Sequence, residues 1–214
     1  MKLTKKIAQI ALVLSALPMA ALAGDAGTIY TQISTNGLGL GYAKSVGDNV
    51  AVRGQINSYS RSFTGNVGDF GAGNVLDVKL SLNSVQVLGD WYPSAGAWRL
   101  SAGLVFNDNK ITLAGTGNVN NKPATVNGEV KLSNSVSPYL GVGYSTRPKD
   151  AKGFGFNFDL GVMFQDPTVS LTAKDSTGAS LSQTDIDAQK RKMQDAVDQL
   201  KNMPVIGVGV SYAF

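Results

Sequence analysis

Along most of this chain, apolar residues recur at every second position. Between 154 and 164, Phe154, Phe156, Phe158, Leu160, Val162 and Phe164 alternate with Gly155, Asn157, Asp159 and Gly161. A period of two sends successive side chains to opposite faces of a strand, so the pattern predicts strands with one greasy and one polar or small face. The stretch from Met203 to Phe214 has the same form. Ile206, Val208, Val210, Tyr212 and Phe214 alternate with Gly207, Gly209, Ser211 and Ala213. Between 50 and 63, Val52 and Ile56 mark one face and Arg53, Gln55 and Asn57 the other.

In several places the parity of the apolar set moves. Leu76, Val78, Leu80 and Leu82 alternate with Asp77, Lys79, Ser81 and Asn83, and then Val85, Val87 and Trp91 carry the apolar face. One bulge near Asn83-Ser84 is the expected cause. Trp98, Leu100, Ala102, Leu104 and Phe106 oppose Arg99, Ser101 and Gly103, and Ile111 and Leu113 resume with shifted parity after Asn107-Asp108-Asn109. From Val126 to Tyr144 a single parity persists, with Glu129 and Lys131 on the opposing face and Pro138 implying an edge or bulge. In 28–44 the apolar parity switches at Asn36-Gly37, which reads as a hairpin turn or as a bulge.

Short connections are expected at 45–49, 93–97 and 147–153, and long polar ones at 64–74, 115–125 and 174–202. An even strand count requires 28–34 and 38–44 to be separate strands, which favours the hairpin and gives eight. The last long connection carries one short helix before the final strand. Thr184 is its expected N-cap, with Asp185 and Asp187 in the first turn. Ile186, Met193, Val197 and Leu200 form its apolar stripe, Asp187 and Arg191 an i,i+4 ion pair, and Asn202 its end.

The amino terminus changes the setting. Lys2, Lys5 and Lys6 precede an apolar run, Ile7 to Leu17, and an Ala21-Leu22-Ala23 cleavage site. Residues 1–23 are therefore expected to be a cleaved signal peptide, leaving 24–214 as a single domain. An uncleaved anchor is disfavoured, because a spanning helix needs about 20 apolar residues. Removing the three lysines leaves 16 basic residues against 15 acidic, so the mature charge is about +1 and no footprint for nucleic acid remains. An exported chain of alternating strands that enters a membrane must close into a barrel, since only helices and closed barrels satisfy every backbone group in lipid. The expected fold is all-β: an antiparallel up-and-down transmembrane β-barrel. A soluble β-sandwich is the outside alternative.

Chemistry narrows the function by what is missing. The chain has no Cys and no His. A disulfide scaffold, the commonest metal ligand and the commonest general base are absent with them. No cofactor, metal or catalytic residue is expected. By parity, Arg53, Asp77, Lys79, Arg99, Glu129, Lys131 and Asp159 should face the lumen. An eight-stranded interior is just wide enough for side chains to fill, so mixed charges there suit a plug of ion pairs. A narrow conducting pore is the alternative.

The mature chain resembles the small outer-membrane β-barrel proteins of Gram-negative bacteria, the group of OmpA-type membrane domains and OmpW-type barrels. The likeness rests on Ile206-x-Val208-x-Val210-x-Tyr212-x-Phe214, on Gly89-Asp90-Trp91-Tyr92-Pro93 with Arg99-Leu100-Ser101-Ala102-Gly103, and on Asp159 to Gln165. It implies outer-membrane localisation, a lipid environment, and a terminal signal (Ile206, Val208, Val210, Tyr212, Phe214) read by the barrel-assembly machinery. Enzymes of that group rely on a His, which this chain lacks, so a structural or surface-interaction barrel is expected, with a small porin-like channel as the alternative. No surface partner can be named.

Overall fold

The computed structural model describes residues 27–65, 75–119, 122–133, 135–146, 152–175 and 182–214. The expected signal peptide, 1–23, lies outside them, as do 66–74, 147–151 and 176–181 of the expected connections. The described residues form eleven strands: β1 (Gly27–Ser34), β2 (Gly37–Gly47), β3 (Val50–Gly65), β4 (Val75–Trp91), β5 (Trp98–Asn107), β6 (Lys110–Val119), β7 (Lys122–Lys131), β8 (Val136–Ser145), β9 (Gly153–Phe164), β10 (Thr168–Asp175) and β11 (Asn202–Ala213). Among the described residues, the helix α1 (Gln183–Val197) and a 3-10 turn, Asp198–Lys201, precede β11.

Eight strands close a ring in the order β1-β2-β3-β4-β5-β8-β9-β11, every pairing antiparallel. The seam joins first strand to last, with Ile29 opposite Tyr212 and Ile33 opposite Val208. The hairpin reading of Asn36-Gly37 holds. Thr35 and Asn36 form the turn, and Gly37 has φ +104°, a conformation cheap only for glycine. The Ser34 hydroxyl donates to the Gly37 carbonyl and accepts from the Asn36 N–H, each at 3.2 Å.

The other three strands prolong the wall. β4 pairs with β5 over 84–91 and with β6 over 75–81. β6 continues the course of β5, β7 that of β8, and β10 that of β9, each after a break of two to four residues. With the far ends of β3 and β4 they form a five-stranded extension beyond one end of the ring. The expected 115–125 loop is thus corrected to the β6–β7 hairpin, registered from Lys110↔Lys131 to Val119↔Lys122. The expected bulge at Asn83-Ser84 is also absent, since β3 and β4 pair without a shift from Val50↔Trp91 to Gly65↔Leu76.

A change of surroundings explains the parity slips. In the ring, inward positions of β4 are polar apart from Leu88: Ser84, Gln86 and Asp90. In the extension, the same face of the same strand carries Val78, Leu80 and Leu82, which join an apolar core. β9 and β10 repeat the switch, with Asn157 and Asp159 inward in the ring and Val169 and Ala173 inward beyond it. The course from β7 to β8 compensates differently. Val126, Val130 and Leu132 are inward and Val136, Leu140 and Val142 outward, so the backbone flips between 132 and 136 while the apolar parity stays even. Pro138 lies where β8 pairs with β5 only; pairing with β9 begins at Tyr139.

The helix covers the inner face of the extension. Ile186 packs with Ala124, Val126 and Ala173, while Met193 and Val197 pack against the cluster of Leu82, Val130, Leu132 and Val169. Leu200 departs from the expected stripe: it falls in the 3-10 turn and is 38% exposed. The N-cap is Ser182 rather than Thr184, with no side-chain cap bond, and the α-helix ends at Val197 rather than Asn202. Asp187 accepts from Gln183 Nε2 at 3.0 Å instead of pairing with Arg191. Gln194 docks the helix onto the start of β10: its Oε1 accepts from Val169 N at 3.1 Å and its Nε2 donates to Pro167 O at 2.9 Å.

Candidate functional site

The inward faces of the ring bring four charges together. Arg53 from β3, Asp90 from β4, Arg99 from β5 and Asp159 from β9 are each at most 4% exposed. Arg53 grips Asp159 with both terminal nitrogens, Nη2 to Oδ1 at 2.9 Å and Nη1 to Oδ2 at 3.1 Å. Its Nε lies 2.9 Å from Asp90 Oδ2. Arg99 Nη2 donates to Asp159 Oδ1 at 2.8 Å, and its Nε stands 3.6 Å from Asp90 Oδ2. Two positive and two negative groups thus balance. Ser101 Oγ donates to Asp90 at 2.6 Å, and Gln32 Nε2 donates to Asp159 at 2.8 Å. Planar guanidinium forks suit this cross-barrel pairing, and the neutral partners satisfy further oxygen lone pairs.

Small residues make the room. A Cβ at Gly143 would sit 2.8 Å from the guanidinium carbon of Arg99, so the neighbouring strand must be bare there. Gly141 and Gly161 likewise clear space for the Tyr139 ring. On the helix side of the quartet, Leu88, Val105, Tyr139, Met163 and Val205 form a buried apolar cluster inside the ring, with Met203 against it. The bore is thus filled first by ions and then by hydrocarbon. Among the described residues, two small cavities flank Arg53. The first, about 20 Å³, is lined by Tyr30, Asp90, Arg99 and Asn157 among others. The second, about 10 Å³, is lined by Gln32, Asn36, Gln86 and Val205 among others. Each is about the size of one water molecule.

Where the ring meets the extension, polar residues tie the interrupted strands together. Asn109 Oδ1 accepts from Asn83 N at 2.9 Å, Asn107 Nδ2 donates to Ser137 Oγ at 3.2 Å, and Ser133 Oγ donates to Asn107 Oδ1. Gln165 Nε2 donates to the Leu200 carbonyl at 2.9 Å.

Of the seven residues placed in the lumen by parity, the structure gathers Arg53, Arg99 and Asp159 there. It places Asp77, Lys79, Glu129 and Lys131 elsewhere: on the outward face of the extension, where Asp77 accepts from Thr64 Oγ1 at 2.6 Å. The correction has a simple cause. Opposing an apolar face means facing the lumen only within the ring; beyond it, the apolar face is the inner one. Asp90, the fourth member of the quartet, went unread although Trp91 beside it marks the outer face. Gln32 and Met163 were also missed, and Met163 carries no polar-lumen signal at all.

The outer wall is apolar. Val208, Val210, Phe154 and Phe156 are at least half exposed. Aromatic pairs gather at the end with the short turns: Trp98 with Tyr144 (centroids 5.3 Å apart), Phe154 with Tyr212 (5.1 Å) and Tyr42 with Phe214 (6.5 Å). The terminal residues Ile206, Val208, Val210, Tyr212 and Phe214 all lie on this outward face. A filled polar bore inside an apolar wall with aromatics at its rim is the arrangement of a barrel that spans lipid.

No protein-family model and no curated protein sequence matches the chain. Solved structures do. Acinetobacter baumannii CarO2 superposes with a TM-score of 0.59 at 20% identity, over 88% of this chain and 98% of that one. CarO of the same species gives 0.57 at 24% identity, over 88% and 97%. The fold they share with this chain is a closed antiparallel β-barrel.

Proposed function

We propose that this protein is a non-enzymatic, integral outer-membrane barrel whose bore is closed and whose extension stands on the cell surface as a structural or interaction module. The closed bore rests chiefly on the charge-balanced quartet of Arg53, Asp90, Arg99 and Asp159 beneath the apolar cluster, which leaves cavities of only about 20 and 10 Å³. A hydrated solute cannot cross such a stack without breaking several buried ion pairs. The lack of His and Cys in the whole chain supports the non-enzymatic reading. Orientation follows from the turns. The connections at 48–49 and 92–97 are short, and bacterial barrels keep short turns on the periplasmic side. That puts the extension and α1 outside the cell.

Purified protein in planar bilayers should show no stable conductance steps; regular steps from the unaltered chain would overturn the closed bore in favour of a small channel. The Cys-free sequence gives a clean test of orientation. A membrane-impermeant maleimide should label Ser62→Cys in intact cells and Ser94→Cys only after lysis, and the reverse pattern would invert the barrel. Deleting Phe214 should lower the amount of folded barrel in the outer membrane while export continues; unchanged assembly would remove the carboxyl-terminal residue from the recognition signal.

A further inference from the structure

The outward face of the extension continues the apolar wall, and its chemistry changes row by row. The last wholly apolar row across the wall is Ile56, Val85, Phe106 and Val136, matched strand to strand. Four residues further along β3 and β4 comes a row without any apolar side chain: Ser60, Ser81, Lys110, Lys131 and Thr168. At about 3.4 Å per residue and with the usual strand tilt, this row stands roughly 10 Å beyond the apolar one. A lysine stem leaning back along the wall brings its ammonium into the headgroup layer.

Lys110 and Lys131 are directly opposite each other on neighbouring strands. Like charges so placed destabilise a sheet. Only Lys110 has relief, a 3.7 Å contact with Asp108, while exposed Lys131 has no ion-pair partner among the described residues. Lys79, exposed and equally unpaired, lies in the row above on β4. Asp108 relieves one side of this pair and Glu129 lies in the row above, but among the described residues no ion pair reaches Lys131, and the pair sits where the apolar wall gives way to polar surface. An anion from the membrane would convert the remaining repulsion to attraction.

We propose that Lys110 and Lys131, with Lys79 above them, bind the phosphate-bearing headgroup of a lipid in the outer leaflet. The proposal rests on the membrane orientation given above. Anionic headgroups attract basic side chains close to the surface, with an effect of about fivefold in affinity per lysine. The exposed hydroxyl of Thr168 beside Lys131 adds a donor for further headgroup oxygens.

The test uses the folded protein in nanodiscs of phosphatidylcholine, alone or with lipid A, whose phosphomonoesters serve as the probe. Lipid A should raise the thermal unfolding midpoint of the unaltered protein. The double variant Lys110→Gln/Lys131→Gln should lose more than half of that increment. In phosphatidylcholine alone the same variant should unfold at the same or a higher temperature, because the repulsion is gone. Lys174→Gln, on the same face at the far end of the extension, should keep the whole increment, and Lys131→Arg should keep most of it. An equal loss from Lys174→Gln, or a double variant that keeps the increment, would overturn the site. Failure of Ser62→Cys to label in intact cells would instead overturn the orientation, so the two failures are told apart.

Discussion

The ring and the extension share strands, register and backbone geometry, yet their chemistry is inverted. In the ring, the inner face holds Arg53, Asp90 and Asp159 while Ile56, Leu140 and Val208 face outward. In the extension, Val126, Val130 and Val169 are buried on the inner face, while Lys79, Lys131 and Ser170 face outward. The difference shows that the surrounding medium assigns a strand's faces. Lipid takes the apolar side around the ring; α1 takes it in the extension. β4 crosses from one regime to the other without losing a ladder position on its β3 side.

The largest expected effect breaks the ring's half of this contrast. Asp159→Asn keeps the shape but leaves Arg53 and Arg99 sharing one carboxylate. Removing one partner of a buried ion network costs about 3–5 kcal/mol, read as a lower urea midpoint of the folded barrel in vesicles. An unchanged midpoint would mean that the quartet is solvated.

Next comes the extension's half. Leu132 is 5% exposed beneath α1. Leu132→Ala should cost about 2–5 kcal/mol locally and show as faster protease cleavage of the helix segment. The barrel's heat-shifted gel band should stay where it is. Loss of both together would mean that the two regions unfold as one unit. Gln194→Ala sharpens the same boundary. It strips the Val169 N–H and the Pro167 carbonyl of their helix-borne partner, at about 1 kcal/mol per bond, and hydrogen exchange at Val169 should quicken. The smallest effect belongs to the outward face: Thr172→Ala removes only an exposed 3.2 Å hydrogen bond to the Asn127 carbonyl and should stay within about 0.5 kcal/mol, and a larger loss would mean that this face is packed against something besides solvent.

Much of the ring was legible in the sequence because lipid imposes strict alternation. Phe154 to Phe164 and Ile206 to Phe214 could hardly be anything but outward rows, and Arg53, Arg99 and Asp159 followed as their inward neighbours. The extension was not legible as such, since the alternation survives there with its meaning reversed. Val78 to Leu82 looked like a slipped continuation of the lipid wall, and a bulge was invoked where the backbone runs straight. The long single parity from Val126 to Tyr144 concealed the opposite case, a backbone flip that cancels the change of medium. Met163 and Leu88 were invisible for a third reason: an apolar side chain inside a barrel carries no pattern that separates it from a gap in the polar face.

The seam between β1 and β11 joins the two strands of the ring that lie farthest apart in sequence. Thr28 meets Ala213 there, so the contact that closes the ring joins regions from the two ends of the chain. Its loop-closure entropy must be met before the pairing returns any stabilisation. Until β11 arrives, β1 and β9 each present an open edge, and an unpaired edge in hydrocarbon is prohibitive. A half-made barrel therefore has no resting place in the bilayer. The edges of β1 and β9 are both satisfied by β11 alone, so one strand carries the whole closure of the ring.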